Sequence, residues 1–393
     1  MKQNKIELMA PAGDFPSLHA AIKACADSVY LGLKEFNMRD SAKNFSFKEL
    51  EEASKICKKN KVKLYLTLNT IIYDDEVKKI ENIIKKIKNK VDAVICWDFS
   101  VIELCRKYKV PFHVSTQASV SNSETAMFYK KLGAKRINLA RELSLKQIKQ
   151  ISKIMPVEIF GHGAMCVSIS GRCFTSQFLQ NMSANRGQCS HPCRRAYKII
   201  DPDGYELKLE NNHVMSAKDL CTLPFIEQIK KSGIGALKIE GRNRGAEYVY
   251  EVTKAYRKAL DKKMTKEDVE ESMKELKKVY NRGFSSGFYL GLPTSGDFTK
   301  SENGEAGEKK IIIGRIENYW SKIGVAHVKI FSGKINVGDE IYIKGNSTGL
   351  IRAKIESMEI NNKKVSSAKK GEDIGVKLPK CRKNDEVYLI VKK

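Results

Sequence analysis

Residues 93–116 read AVICWDFSVIELCRKYKVPFHVST. The stretch opens on a short, continuous apolar run, Ala93–Trp97. A helix-like run follows at Val101–Tyr108, then a second apolar run at Phe112–Thr116. Neither apolar run alternates with polar residues, as expected of parallel strands buried on both faces. The unit is therefore strand, helix, parallel strand.

The same unit repeats outward in both directions. Strand-like runs precede it at Ile6–Ala10, Ser28–Leu33 and Lys63–Asn69, and follow it at Arg136–Leu139 and Val157–Phe160. Between them lie helix-like runs at Ser17–Cys25, Phe47–Lys59, Asp75–Lys88, Ser123–Leu132 and Leu145–Ile154. Ser46 with Glu49 forms a capping box, and Ser144 caps the helix that starts at Leu145. An eighth strand reads at Ala236–Glu240, followed by a helix over Ala246–Leu260. Eight such steps predict an α/β fold, a closed (β/α)8 TIM-like barrel over residues 1–262.

The seventh step carries a cysteine-rich insertion, about 161–222, before its helix arrives at Leu223–Lys231. The insertion includes a hairpin, Tyr197–Ile200 with Tyr205–Leu209 around Asp201-Pro-Asp-Gly204. Residues 263–308 read as a helical extension, Lys266–Tyr280, and a linker rich in Gly, Ser, Thr and Pro. From 309 to 393 the pattern changes to short strands with turns, which predicts a small C-terminal all-β barrel. Gly333–Gly345 and Ala368–Val376 resemble domain 2 of translation GTPases.

Lys and Arg total 71 against 46 acidic residues, a net charge of +25. That favours a polyanionic partner such as nucleic acid. Much of the excess lies along helices, as in KKIENIIKKIKNK at Lys78–Lys90, where a solvated face explains it equally well. No apolar run is long enough to span a bilayer, and MKQNKIELMAPAGD has no signal-like segment. A cytoplasmic protein without membrane contact is expected.

Five of the ten cysteines, Cys166, Cys173, Cys189, Cys193 and Cys221, fall in or beside the insertion. Clustered cysteines in a reducing compartment bind metal or react. The other five, Cys25, Cys57, Cys96, Cys105 and Cys381, stand singly among apolar neighbours and read as small hydrophobes. Four thiolates can hold a [4Fe–4S] cluster or a structural zinc. Zinc sites usually have tight pairs such as C-x2-C, and this chain has none. Cys189-x3-Cys193 is the alternative pair that would displace Cys221. Arg172, Arg186, Arg194 and Arg195 surround the cysteines and would lower thiol pKa values.

In a barrel of this kind, the loops after the strands build the active site. Asn69, Gln117, Arg141, Glu142, His162, Glu240 and Arg242 each end a predicted strand. Arg141 and Arg242 suit a dicarboxylate or phosphate through paired hydrogen bonds. Glu158, His162 and Glu240 are candidate acid–base groups. An internal ion-pair network, such as Glu240 with Arg242, accounts for these residues as readily.

Several motifs carry a family resemblance. They include Glu7-Leu-Met-Ala-Pro-Ala-Gly13, Phe36-Asn-Met-Arg39, Ser115-Thr-Gln117 and Leu139-Ala-Arg-Glu142. The central one is Glu158-x-Phe160-x-His162-Gly-Ala-Met-Cys166-x4-Gly171-x-Cys173-x-x-Ser176, with Lys238-Ile-Glu-Gly-Arg242 and Asn281-Arg-Gly-Phe284. Together they make most of the chain resemble the collagenase-like family 32 of the peptidases of unknown catalytic type. Thr175 stands where that family has an aliphatic residue.

The resemblance implies an iron–sulfur protein that hydroxylates RNA pyrimidines or a quinone ring without molecular oxygen. The branch most similar in shape forms 5-hydroxyuridine at the tRNA wobble position, with prephenate as a hydroxyl source. It implies Cys166-x6-Cys173-x15-Cys189-x31-Cys221 as ligands, with Cys193 to spare. It also implies tRNA and a small anion as partners. Two other readings stay open. One is a peptidase using a Cys166–His162 pair, although no HExxH metal motif is present. The other is a non-catalytic RNA-binding protein.

Overall fold

The computed structural model describes residues 5–392 apart from 170, 210, 302 and 303. Eight parallel strands close into a barrel: Glu7–Pro11, Ser28–Gly32, Lys63–Thr67, Ala93–Cys96, Phe112–Val114, Arg136–Asn138, Val157–Gly163 and Ala236–Ile239. Closure comes from the last strand, which pairs with both the first and the seventh.

Helices pack outside for reasons visible in their sequences. Val77–Ile87 buries Ile80, Ile83, Ile84 and Ile87, one stripe at helical spacing, and turns its lysines outward. Phe47–Lys59 starts at Ser46, whose hydroxyl accepts from the Glu49 N–H at 3.3 Å while Glu49 accepts from the Ser46 N–H at 2.7 Å. The main core fills the space between strands and helices, from Leu8 and Leu31 to Val249 and Tyr256.

The barrel interior is polar at its lower end. Glu7 accepts two bonds from Arg136, at 2.8 and 2.9 Å, and also bonds Ser28, Tyr65 and Lys63. Glu158 belongs to this layer: it pairs with Lys238 at 3.1 Å and Arg136 at 3.5 Å and is 1% exposed. Burying these charges is tolerable because each finds an opposite charge and hydrogen bonds.

The seventh strand outruns its apolar segment and continues through Gly161-His162-Gly163. Two short strands extend the sheet from there. Asp219–Cys221 pairs antiparallel with it, placing Cys221 opposite His162, and Phe284–Ser285 adds on beyond. Gly163 has φ 113°, and a Cβ there would lie 2.5 Å from the Glu240 carbonyl oxygen. A side chain would push the seventh and eighth strands apart at this crossing.

The C-terminal region is antiparallel. Eight strands run in sheet order from Gly349–Lys354 through Glu308–Trp320 to Lys363–Val365, with a core of their own around Ile316, Ile330 and Ile343. Tyr342 and Leu350 face the other way and join the barrel's core. Lys23 Nζ also donates to the Leu350 carbonyl at 3.2 Å.

Candidate functional site

The insertion after the seventh strand folds over the barrel mouth and is tied to neighbouring loops. Arg186 donates to both oxygens of Glu76, at 2.7 and 2.5 Å, and lies 4.6 Å over the Tyr73 ring. Arg172 lies 5.1 Å over Trp97 and donates to the Gln117 carbonyl at 3.3 Å. A short helix, Thr175–Gln180, forms within the insertion where the sequence shows no helical period.

Beneath it is a cavity of about 340 Å³. Four thiols line it: Cys166, Cys173, Cys189 and Cys193. Arg39, Arg194, Arg244 and Arg282 share the wall with His191 and Glu240. Burial would raise the Glu240 carboxyl, but Arg39, then Arg242, Lys238 and Arg141, hold it down at about 2. Arg39 meets Glu240 at 3.0 Å. Burial, then Arg39, Arg282, Arg194 and Arg244, push His191 down to about 4, so it is neutral at pH 7. Burial also raises the Cys193 thiol, with Arg194 acting against it. At Cys173, bonds from Thr175 and Ser168 outweigh burial and hold the thiol below its ordinary value.

Cys221 is not in this cavity. It sits 2% exposed on the other side of the strand, 3.7 Å from Tyr256 Oη and 3.7 Å from Met273 Sδ. Burial pushes its thiol up to about 11. The four cysteines that the resemblance implies are thus not the four that line this cavity. Cys193 is the fourth thiol on its wall, and Cys221 instead faces the helices Ala246–Asp261 and Lys266–Lys278. Among the described residues, no three His, Cys, Asp or Glu groups converge closely enough to hold a single ion. The four thiols surround a volume rather than a point.

His162 shares the fate of Cys221. Its ring lies among Tyr248, Tyr256 and Phe284, with Nδ1 3.4 Å from Tyr256 Oη. Burial pushes it down to about 3. It lines neither cavity that holds Cys166 and makes no hydrogen bond with that thiol among the described residues. Glu158 lies within the barrel, as described, so neither residue is placed as an acid–base group at the mouth.

The remaining strand-end residues divide. Arg242 is 4% exposed and donates from Nη1 to Asn37 Oδ1 and Thr67 Oγ1, both at 3.0 Å. Asn69 accepts from the Met38 N–H at 3.2 Å, and Gln117 bonds Ser115 and lies against Gly171. These three position loops. Arg141 and Glu142 line a second cavity, of about 260 Å³, which shares Cys166, Ser168 and Ile169 with the first. The residues that spacing did not single out as contacts are Arg39, Arg244, Arg282 and His191. Arg39 and Arg282 lie inside the recognisable motifs, the one signal that could have raised them.

Residues 13–298 match the model of peptidase family U32. The chain belongs to that family. Residues 324–391 match elongation factor Tu domain 2. A collagenase of Porphyromonas gingivalis is 39% identical across 99% of this chain and 98% of its own length. An uncharacterized protease of Methanocaldococcus jannaschii is 42% identical across 98% of both chains. A tRNA hydroxylation protein of Bacillus subtilis is 36% identical across 65% of this chain and 63% of its own length.

U32 relatives therefore carry both peptidase and RNA-hydroxylation names. Two segments here fit the serine-nucleophile pattern G-x-S-x-G, Gly283-Phe-Ser-Ser-Gly287 and Gly345-Asn-Ser-Thr-Gly349. The first lies on the short strand beside Asp219–Cys221, and the second is a β-hairpin turn. Neither is the strand-to-helix elbow that such a nucleophile requires. Among the described residues no helix is long and apolar enough to cross a membrane.

Proposed function

We propose that this chain hydroxylates a pyrimidine of RNA, in the first place a wobble uridine of tRNA. In this reading a [4Fe–4S] cluster sits on Cys166, Cys173, Cys189 and Cys193, and a small anion such as prephenate is the hydroxyl source. The observation that carries the reading is the thiol-lined cavity at the barrel mouth. Thiolates on one zinc at about 2.3 Å must nearly touch. Four thiols spread round a volume suit a larger group. When bound, the cluster would supply electron-transfer chemistry.

The chain's own residues supply the setting. Arg39, Arg194, Arg244 and Arg282 line the cavity against one carboxylate, Glu240, and so offset thiolate charge. Glu240 stays ionised and fixes Arg39. A cavity of about 340 Å³ has no room for stacked bases, so the target base must be splayed from its loop. The +25 charge draws the RNA in.

The test is mass spectrometry of tRNA and rRNA nucleosides from a strain lacking the chain. Loss of a hydroxylated pyrimidine, restored by wild type and not by Cys189→Ser, is expected. An unchanged nucleoside profile in the deletion strain would overturn the reading.

A further inference from the structure

We propose that Arg141 is a receptor for a small oxyanion, held in the 260 Å³ cavity on the far side of Cys166 from the other three thiols. The inference deepens the hydroxylase reading by locating its anion, and the binding it claims can be tested apart from turnover.

The guanidinium is held in one orientation. Nη1 donates to the Ala164 carbonyl at 3.0 Å, and the group lies 4.4 Å over the Phe160 ring. Phe160 is held in turn by Tyr289, whose hydroxyl donates to the Phe160 carbonyl at 2.7 Å. The edge left over is Nε with Nη2. Those two N–H groups point the same way and match the two oxygens of a carboxylate or phosphate. In Arg141 both are buried and neither has a partner.

Arginines elsewhere show what is missing: Arg194, Arg242 and Arg282 each leave one buried nitrogen without a hydrogen-bond partner, but among the described residues only Arg141 leaves both Nε and Nη2. Arg136 meets Glu7, Arg39 meets Glu240 and Arg186 meets Glu76. Arg242 spends its Nη1 on Asn37 and Thr67, and a Cβ on Gly32 would lie 2.4 Å from that atom. It is packed as a strut and lines no cavity with a thiol. Among the described residues Arg141 has no carboxylate within ion-pair range. An unpaired buried donor is costly, and a charged one more so. A fork left open at that cost is explained by an anion that fills it.

The cavity suits a small one. Ser119 stands on its wall beside Thr116 and Ser168, whose hydroxyls bond the Leu139 carbonyl and Cys173; Phe288, Met165 and Ile169 give it apolar sides, and Glu142 is the one carboxylate among the described lining residues. At about 260 Å³ it admits a small organic acid or a single phosphate group, not a nucleotide. Two sources share that chemistry, a free carboxylic acid and a phosphodiester of the bound RNA.

The experiment titrates the full chain with malonate, with inorganic phosphate and with a short RNA hairpin, following thermal unfolding and calorimetric binding. Arg141→Gln and Arg141→Lys are compared with wild type, and Arg382→Gln, exposed on the β region, controls for general salt effects. Malonate or phosphate should raise the wild-type Tm. The response should weaken at least about tenfold in Arg141→Gln, stay weak in Arg141→Lys, which keeps the charge without the fork, and persist in Arg382→Gln.

Displacement of malonate by the hairpin, with weaker hairpin binding in Arg141→Gln, assigns the site to an RNA phosphate. Malonate binding untouched by the hairpin assigns it to a free acid. Equal responses in wild type and a folded Arg141→Gln overturn the proposal. If Arg141→Gln fails to fold, a wild-type crystal grown with malonate decides: ordered waters alone on the Arg141 fork overturn it. These readouts need neither metal nor turnover, so a failed hydroxylase reading would leave the site standing.

Discussion

Cys193 and Cys221 lie on opposite sides of one wall. Cys193 sits within a 3-10 turn, Pro192–Arg194, that follows the left-handed residue His191, and its thiol lines the cavity with Cys166 and Cys189. Cys221 ends a three-residue strand and is register partner to His162. Strand neighbours on paired positions share a face, so the two point together toward Tyr256 and away from the cavity. Both cysteines are close in sequence to the same motif. Spacing alone does not tell on which face a strand residue emerges, and one residue of register reverses it.

The largest expected effect separates the two thiols outright. In anaerobically purified protein, Cys193→Ser should lose iron and sulfide and abolish RNA hydroxylation in cells, as should Cys166→Ser. Cys221→Ser should keep at least about half of the iron, since the cavity is untouched. Iron loss in Cys221→Ser with full retention in Cys193→Ser would reverse the assignment. It would mean that Asp219–Cys221 shifts register when the site is filled.

A second difference is chemical. At Cys221 the thiol is pushed up to about 11, whereas Cys173 is held below the ordinary range. The thiolate is the reactive form. At pH 7.5 iodoacetamide should therefore modify Cys173 at least about a hundredfold faster than Cys221, from thiolate fraction alone. Labelling of Cys221 should rise about tenfold per pH unit above 7.5 and level off only near pH 11. Peptide mapping by mass spectrometry resolves the two sites. Comparable rates at pH 7.5 would show that the wall between them opens in solution.

The barrel itself was legible because its strands and helices announce themselves by period. Phe47–Lys59 forms as the capping box predicts, and all eight strands fall within a few residues of their apolar runs. The extension of the seventh strand was not, since Gly161-His162-Gly163 carries no β signal and is drawn into the sheet by pairing with Ile239 and Leu220. Asp219–Cys221 is too short for any period to show. Glu158 reads as an acid–base group and Arg242 as a strand-end contact, yet partners distant in sequence, Lys238 and Thr67, claim them. The cavity's arginines come from separate loops, so only the folded barrel assembles them.

His162 provides the smallest and most discriminating effect. A general base for Cys166 would make its removal fatal to catalysis. In the fold it is a buried neutral ring, paired across strands with Cys221 and packed on Tyr248, Tyr256 and Phe284. Its folded pKa, about 3, lies below the ordinary value of 6.5. Protons therefore bind the unfolded state more tightly, and the wild type must lose stability as pH falls from 6.5 toward 3. The slope approaches about 1.4 kcal/mol per pH unit once the unfolded ring is protonated. His162→Gln keeps a polar group near Tyr256 without the titration. It should cost about 1 kcal/mol at neutral pH and leave RNA hydroxylation within about threefold of wild type. Urea unfolding at pH 7 and pH 4.5 should show the variant losing less stability than wild type over that interval. His113 and His191 supply a remaining slope common to both proteins. Equal pH slopes, or a hundredfold loss of activity in a folded variant, would return His162 to the reaction.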